Sequence, residues 1–163
     1  MDNYDIRYDD KYGQLTHIDL AAEGAAHDPW VNQTLTTVND AVVRLAVIDG
    51  RLVDWHKHEH EDEFFLVLEG RLEFEVQGRE AFVLGPDQGV TIPRGIVHRP
   101  HAHGRTLVLM VEPATVMPTG NDWREMRVRR GLRRRASFRG LPPCADLLPS
   151  TEGVERLGRG LSD

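Results

Sequence analysis

The sequence lacks several features that would narrow its function at once. It has a single cysteine, Cys144, which excludes an internal disulfide and a cysteine-based zinc or iron–sulfur site. Its longest uninterrupted apolar runs, Phe64–Leu68 and Leu107–Val111, are far shorter than the roughly 20 residues that a membrane-spanning helix needs. The first residues also lack the basic and then apolar pattern of a secretory signal. We therefore expect a cytoplasmic protein with no membrane partner.

Positive charge is scarce outside the C-terminal part of the chain. The net charge of the 163 residues is −6, but residues 1–120 contain 10 Lys and Arg against 20 Asp and Glu. Residues 121–163 contain 10 against 6. Because an acidic body repels phosphate backbones, this distribution disfavours nucleic acid as a partner.

The middle of the chain, residues 31–113, consists of short alternating or apolar runs that end at glycine, proline or aspartate. Several short strands separated by tight turns, with no long helical pattern between them, predict an antiparallel all-β sandwich or barrel. The runs are Thr34–Val38, Ala41–Ile48, Phe64–Leu68, Leu72–Val76, Ala81–Leu84, Val90–Ile92 and Thr106–Val111.

The two flanking parts differ from this body. Residues 1–30 are polar and acidic, and we predict one short helix over Leu15–Glu23, capped by Thr16. Residues 114–163 contain eight arginines between Arg124 and Arg139 and show no apolar stripe of helical period. We predict an irregular, Arg-rich C-terminal arm that docks on the acidic body, although its role stays open.

Three of the eight histidines lie close together at His56, His58 and His60, followed at once by an acidic run at residues 61–63. Imidazole and carboxylate are suitable ligands for divalent metals. Residues i and i+2 of a strand point to the same face, about 7 Å apart, so two of these imidazoles can converge on one ion. Strand parity alone leaves open which pair does so. The alternative interpretation is a solvated hairpin that happens to carry histidines.

Spacing distinguishes these interpretations. The first stretch follows the pattern G-x5-H-x-H-x4-E-x6-G, and a later stretch follows P-x-G-x-x-H. Together they resemble the two motifs of the cupin superfamily, and the surrounding residues are similar to small single-domain bacterial cupins labelled mannose-6-phosphate-isomerase-like. The matching positions are Gly50, His56, His58, Glu63 and Gly70, and then Pro93, Gly95 and His98.

The resemblance implies a double-stranded β-helix, also called a jelly roll or cupin barrel. It further implies one divalent ion, Fe, Mn, Ni or Zn, bound by His56, His58, Glu63 and His98. The second motif departs from the family at Asp87, where a glycine is usual, and the family's common asparagine after the last histidine is absent.

Other residues are candidates for the surroundings of the metal. Strand parity makes Phe65 and Val67 inward neighbours of Glu63, and Phe74 is predicted to line the same cavity, unless all three are plain barrel core. Arg44 interrupts an apolar run, where it either anchors a substrate carboxylate or phosphate or points to solvent from an edge strand.

The catalytic residues are not identified by the sequence. Besides Arg44, His101 and His103 are candidates for a general base, in a predicted loop with Gly104. The resemblance favours a metal-dependent enzyme of the oxygenase, isomerase or lyase type that acts on a small polar organic molecule. The alternative is a non-catalytic cupin module that binds or senses a small ligand. We also expect a homodimer, formed through the N-terminal segment and residues 34–48.

Overall fold

The computed structural model describes residues 4–51, 54–118 and 120, so most of the predicted C-terminal arm lies outside the described residues. Within these ranges no helix is long and apolar enough to cross a membrane. The elements are β1 (Asp5–Arg7), α1 (Leu20–Ala25), β2 (Val31–Val38), β3 (Ala41–Arg51), β4 (Glu63–Glu69), β5 (Leu72–Val76), β6 (Phe82–Leu84), β7 (Gly89–Ile92) and β8 (His98–Pro113).

The long strand β8 organises the sheet, because three other strands pair with it. Along one edge of β8, the first half pairs with β5 and the second half pairs with β4. The opposite edge of β8 pairs with β3. The strand order is β1-β2-β3-β8-β4-β7, with β6 paired to β5. Every pairing is antiparallel except the parallel contact between β1 and β2. The predicted all-β fold is confirmed.

The two central strands are β3 and β8, and other residues cover both faces of β3 and of the second half of β8. Their inner faces join residues of β4 to β7 in one core, to which the two strands contribute Ala46, Ile48, Ala102, Val108 and Met110. Their outer faces form a second core with β2, covered by the N-terminal segment and consisting of Leu35, Leu45, Val47 and Leu107. Full burial of one such aliphatic side chain is worth about 1.5–3 kcal/mol. Because six strands share the inner core, the sheet curls around an interior, where inward polar side chains can meet.

The helix of the N-terminal segment begins later than the sequence predicted. Instead of Leu15–Glu23 capped by Thr16, the helix begins at Leu20 and its N-cap is Asp19, whose carboxylate accepts a backbone hydrogen bond in the first turn at 3.0 Å. The start was predicted wrongly because Leu15 has φ +60°, a left-handed conformation that a right-handed helix cannot use.

Strand β8 begins earlier than predicted, at His98 rather than Thr106. His101 and His103 therefore lie on a strand and not in a loop with Gly104. The prediction failed here because this stretch is polar and contains a proline and a glycine, which favour turns. Pairing with β5 supplies the strand partner that the local sequence does not indicate.

The motif turns use left-handed backbone. Gly50, Gly70 and Gly95 have φ values of 83°, 83° and 77°. Asp87, which replaces the glycine usual at its position in the motif, adopts φ 63°. Aspartate is among the few residues with a side chain that tolerate this conformation, so the departure from the motif preserves the turn.

Candidate metal centre

The four residues that the motifs single out come together in the barrel interior. His56, His58, Glu63 and His98, here called the inner cluster, are all buried, with exposed fractions of 1–3%. His56 and His98 exchange two backbone hydrogen bonds of 2.9 and 3.0 Å in an isolated bridge. Glu63 opens β4 and His98 opens β8, so strand ends fix two of the four side chains.

Glu63 is the centre of the inner cluster. Its Oε1 lies 3.1 Å from His58 Nε2, and its Oε2 lies 3.4 Å from His98 Nε2. The rings of His56 and His98 are 4.3 Å apart between centroids. Donor atoms of His56, Glu63 and His98 all lie within 4.8 Å of one another. His58 falls outside this tightest group but contacts Glu63 directly.

Backbone carbonyls orient two of the imidazoles. His56 Nδ1 lies 3.0 Å from the carbonyl oxygen of Asp54, and His98 Nδ1 lies 3.0 Å from that of Ile96. When Nδ1 carries the proton and donates it to a carbonyl, Nε2 keeps its lone pair. A ligating histidine is commonly held in this way, so both rings present Nε2 as the ligand atom.

Buried polar atoms without a partner test whether a cation fits. Among the described residues, both ring nitrogens of His58, His98 Nε2 and Glu63 Oε2 are buried without a hydrogen bond. Leaving such atoms unpaired costs about 1–3 kcal/mol each. A divalent cation between them would satisfy one nitrogen of His58 together with His98 Nε2 and Glu63 Oε2. The residues present therefore fit a metal ion.

The electrostatics of the inner cluster suit ligand atoms. Burial and the neighbouring His98 lower the pKa of His56 to about 4, so this ring is neutral at pH 7. Burial by itself would raise the pKa of Glu63, but the adjacent His58 and His98 imidazoles favour its ionised form and hold that pKa well below its usual range. A neutral imidazole beside a carboxylate anion is the protonation state that metal binding requires.

Arg44 is buried, which corrects the interpretation that it points to solvent. Its exposed fraction is 1%, and β3 is an interior strand rather than an edge. Strand parity places it on the inner face, where its Nε lies 2.9 Å from Oε1 of Glu112. Nη1 of Arg44 has no hydrogen-bond partner among the described residues.

Sequence reasoning missed Glu112, which lines the same interior space as Glu63. Burial and the charge of Glu63 raise the pKa of Glu112 to about 8, against the opposing effect of Arg44. The sequence indicated only that Glu112 is an acidic residue at the end of an apolar strand and that it has the same parity as the inward residues of β8. Its partner Arg44 is far away along the chain, so the pair could not be inferred.

The space beside the inner cluster has a mixed polar and apolar wall. Phe65, predicted as a pocket residue, lines it, whereas Val67 and Phe74 are fully buried in the inner core. Two polar groups that the sequence did not single out, Tyr4 and Asn32, also face it and are joined by a 3.0 Å hydrogen bond from Asn32 Nδ2 to the Tyr4 hydroxyl. The remaining lining residues are Pro100, Met110 and Pro118.

The chain after β8 also covers this site. Pro118 lines the space, and a side chain at Gly120 would meet Cβ of His56 at 2.8 Å. Thr115 donates a 2.9 Å hydrogen bond to Glu61, just before β4. The first residues of the segment predicted as an arm therefore pack against the inner cluster.

The structure places the other histidine candidates away from the inner cluster. His60 is exposed. His101 and His103 point to the outer face of β8, opposite to His98, because their parity differs from that of the inward residues. They do not meet the inner cluster, so neither contacts its ligands directly.

Comparison with known proteins agrees with this geometry. A profile of the cupin domain matches residues 43–112. The uncharacterized protein YdbB of Bacillus subtilis is 41% identical over 93 residues, which is 57% of this chain and 81% of that protein.

Solved structures are similar over the same region. A cupin-2 domain-containing protein of Shewanella frigidimarina is 27% identical, with a TM-score of 0.55, and the match covers 59% of this chain and 93% of that one. A Ralstonia eutropha protein described as a candidate mannose-6-phosphate isomerase is 19% identical, with a TM-score of 0.52 and coverage of 60% and 97%, which shows the fold alone. Motif spacing, barrel and relatives agree, and the chain belongs to the cupin family.

Proposed function

We propose that this cupin binds one divalent ion, Fe, Mn, Ni or Zn, through His56, His58, Glu63 and His98. We further propose that it is a metal-dependent enzyme of the oxygenase, isomerase or lyase type, acting on a small polar organic molecule. The observation that carries this proposal is the set of buried imidazole and carboxylate atoms that face one another without hydrogen-bond partners in the described residues.

An ion held by these three histidines and Glu63 would be able to polarise a substrate oxygen or lower the pKa of a bound water. The chain itself would bind and orient the substrate. Tyr4 accepts a hydrogen bond from Asn32, which leaves the tyrosine O–H able to donate and Asn32 Oδ1 able to accept. With the carboxyl group of Glu112 beside them, this wall suits a small molecule that carries hydroxyl or carbonyl groups.

Two further groups complete the proposed site. Arg44 contacts Glu112 but does not line the space, so we assign it the role of a positioning residue that holds the Glu112 carboxyl. Phe65 and Met110 form the apolar part of the wall, where they exclude water and strengthen the electrostatic interactions of the bound molecule.

The test begins with the metal content of the purified protein. We expect about one tightly held ion per chain, and we expect His56→Ala, His58→Ala, Glu63→Ala and His98→Ala each to remove most of it, because each deletes one of four ligands. His60→Ala is the matched control, since this exposed neighbour on the same stretch should leave the content unchanged. Loss in His60→Ala with retention in His56→Ala would shift the register by two and refute the ligand assignment.

Turnover distinguishes the enzyme from the alternative, a non-catalytic module that binds or senses a small ligand. If the native metal is iron, oxygen uptake with small hydroxy and keto acids should depend on Glu63 and fall in Glu112→Gln. Saturable binding of such molecules without consumption of substrate would favour the binding module. The expected homodimer and cytoplasmic location stay predictions, and sedimentation velocity at micromolar concentration checks the former.

A further inference from the structure

A second group of potential ligands lies on the outside of the barrel. Glu73 of β5 and His101 and His103 of β8, here called the outer cluster, have donor atoms that all lie within 4.8 Å of one another. His103 Nε2 lies 2.9 Å from Glu73 Oε2, and His101 Nδ1 lies 3.8 Å from the same oxygen. The two imidazole rings are 4.8 Å apart between centroids.

Strand pairing holds these three side chains together. Glu73 is the direct cross-strand partner of His101, so their Cβ atoms are about 5 Å apart. His103 is two residues along β8 and therefore points to the same face. Its backbone N–H donates a 3.0 Å hydrogen bond to the carbonyl oxygen of Arg71, which anchors this end of the strand. The arrangement depends on sheet register rather than on a flexible loop.

The neighbouring pair on the same face shows what distinguishes the outer cluster. Glu75 is opposite Arg99, and two guanidinium nitrogens contact its Oε2 at 2.5 and 2.6 Å. An arginine cannot give up its proton to become a ligand, so that carboxylate is committed to an ion pair. Glu73 instead faces two imidazoles, which do become ligands when neutral.

We propose that Glu73, His101 and His103 form a second divalent-cation site, separate from the inner cluster and selective for a borderline metal such as Zn²⁺. Two nitrogens and one carboxylate oxygen are a common zinc donor set, in which the fourth position is left to water. Ligands about 2.1 Å from a tetrahedral ion are about 3.4 Å apart, between the two distances from Glu73 to the imidazoles. The side chains are 27–46% exposed, so an ion can reach the site from solvent.

Zn²⁺ binding to the full-length protein tests the proposal by equilibrium dialysis. The wild type is expected to bind two ions per chain, and His103→Ala only one, with affinity at the lost site weakened at least about tenfold. Glu75→Gln is the matched control, because it changes a carboxylate on the same strand and face and should keep both ions. An equal number of bound ions in the wild type and in His103→Ala would overturn the proposal.

The same measurement separates this site from the inner cluster. His98→Ala should lose the inner ion and keep the outer one, whereas His101→Ala should do the reverse. Zn²⁺-dependent shifts of the imidazole NMR signals of His101 and His103 in His98→Ala would locate the remaining ion. If those signals do not respond to Zn²⁺, the outer cluster is only a surface ion pair.

Discussion

Glu23 and Glu63 are both buried and both contact histidine, but only Glu23 has its side chain fully hydrogen-bonded. One of its oxygens accepts from Lys11 and contacts His27, and the other accepts from the Tyr12 hydroxyl. These bonds fasten the N-terminal segment and α1 to each other, beside the outer core. Burial would raise the pKa of Glu23, but the three hydrogen bonds lower it to about 2.

The polar groups around Glu63 are as deeply buried as Glu23 is. Several of them have no hydrogen-bond partner among the described residues. A buried polar group normally has a partner, because leaving it without one is costly. The hydrogen bonds of Glu23 therefore stabilise the fold, whereas the inner cluster leaves polar atoms unpaired that the proposed cation would satisfy. The comparison shows that a buried carboxylate can be fully paired within the chain, and that unpaired polar atoms are what distinguish the inner cluster from the Glu23 group.

The largest effect on stability is expected at another buried carboxyl group, Glu112. At pH 9, where Glu112 with its pKa of about 8 is ionised, Arg44→Met removes the only cation within ion-pair distance of this carboxylate among the described residues, and breaking such a pair typically costs about 3–5 kcal/mol. The double variant Arg44→Met/Glu112→Gln should recover much of that loss of unfolding free energy, because position 112 then carries no unpaired buried charge. Urea denaturation measures the free energy of unfolding of both variants. Equal destabilisation of the single and double variants would show that the pair is not coupled.

A somewhat smaller effect is expected at Glu23. Its lowered pKa means that the ionised form stabilises the fold above pH 4.5 and that this contribution is lost as the pH falls toward about 2. Glu23→Gln should reduce the free energy of unfolding by up to about 3 kcal/mol at pH 7, and the deficit should narrow between pH 4.5 and 3. The exposed Glu80→Gln is the control. A deficit independent of pH would mean that Glu23 acts through packing alone.

The smallest effect on stability is expected at Gly120. Its comparison with Gly78 tests whether the contact with His56 matters for metal binding. Gly120 and Gly78 both have φ of 81°, so an alanine at either position costs about 1 kcal/mol of backbone strain. Only at Gly120 would the new Cβ approach His56, at 2.8 Å, whereas nothing lies within 4 Å at Gly78. Gly120→Ala should therefore weaken metal binding and Gly78→Ala should not. Equal metal affinity in the two variants would exclude the contact with His56.

Much of the barrel was predictable from the sequence, because inward and outward residues alternate along its strands. The strand Leu72–Val76 was predicted with its observed bounds, β4 is longer than predicted by one residue at each end, and β7 begins one residue earlier than predicted. The first half of β8 was missed, because its strand character comes from pairing with β5 and not from its own residues. Local pattern fails where a distant partner determines the structure.

The candidate metal centre was likewise predictable only where local sequence patterns determine it. The spacing of the histidines and Glu63 follows from two local motifs, so these residues could be named in advance. The carbonyl oxygens that orient His56 and His98 carry no side-chain signature, and no sequence pattern indicates them. Burial of Arg44 against Glu112 likewise depends on the register between β3 and β8, which brings together residues from opposite ends of the barrel sequence.

The contrast between Glu63 and Glu23 can be measured directly as a metal-dependent shift of Tm. His103→Ala is the background, so that the outer cluster does not contribute, and Zn²⁺ at about 100 times its Kd should stabilise a competent site by about 2.7 kcal/mol. In this background Glu23→Gln should start from a lower Tm and keep the full shift, whereas Glu63→Gln should lose the shift. A full Zn²⁺-dependent shift in Glu63→Gln, or its loss in Glu23→Gln, would contradict the assignment of the inner cluster as the metal centre.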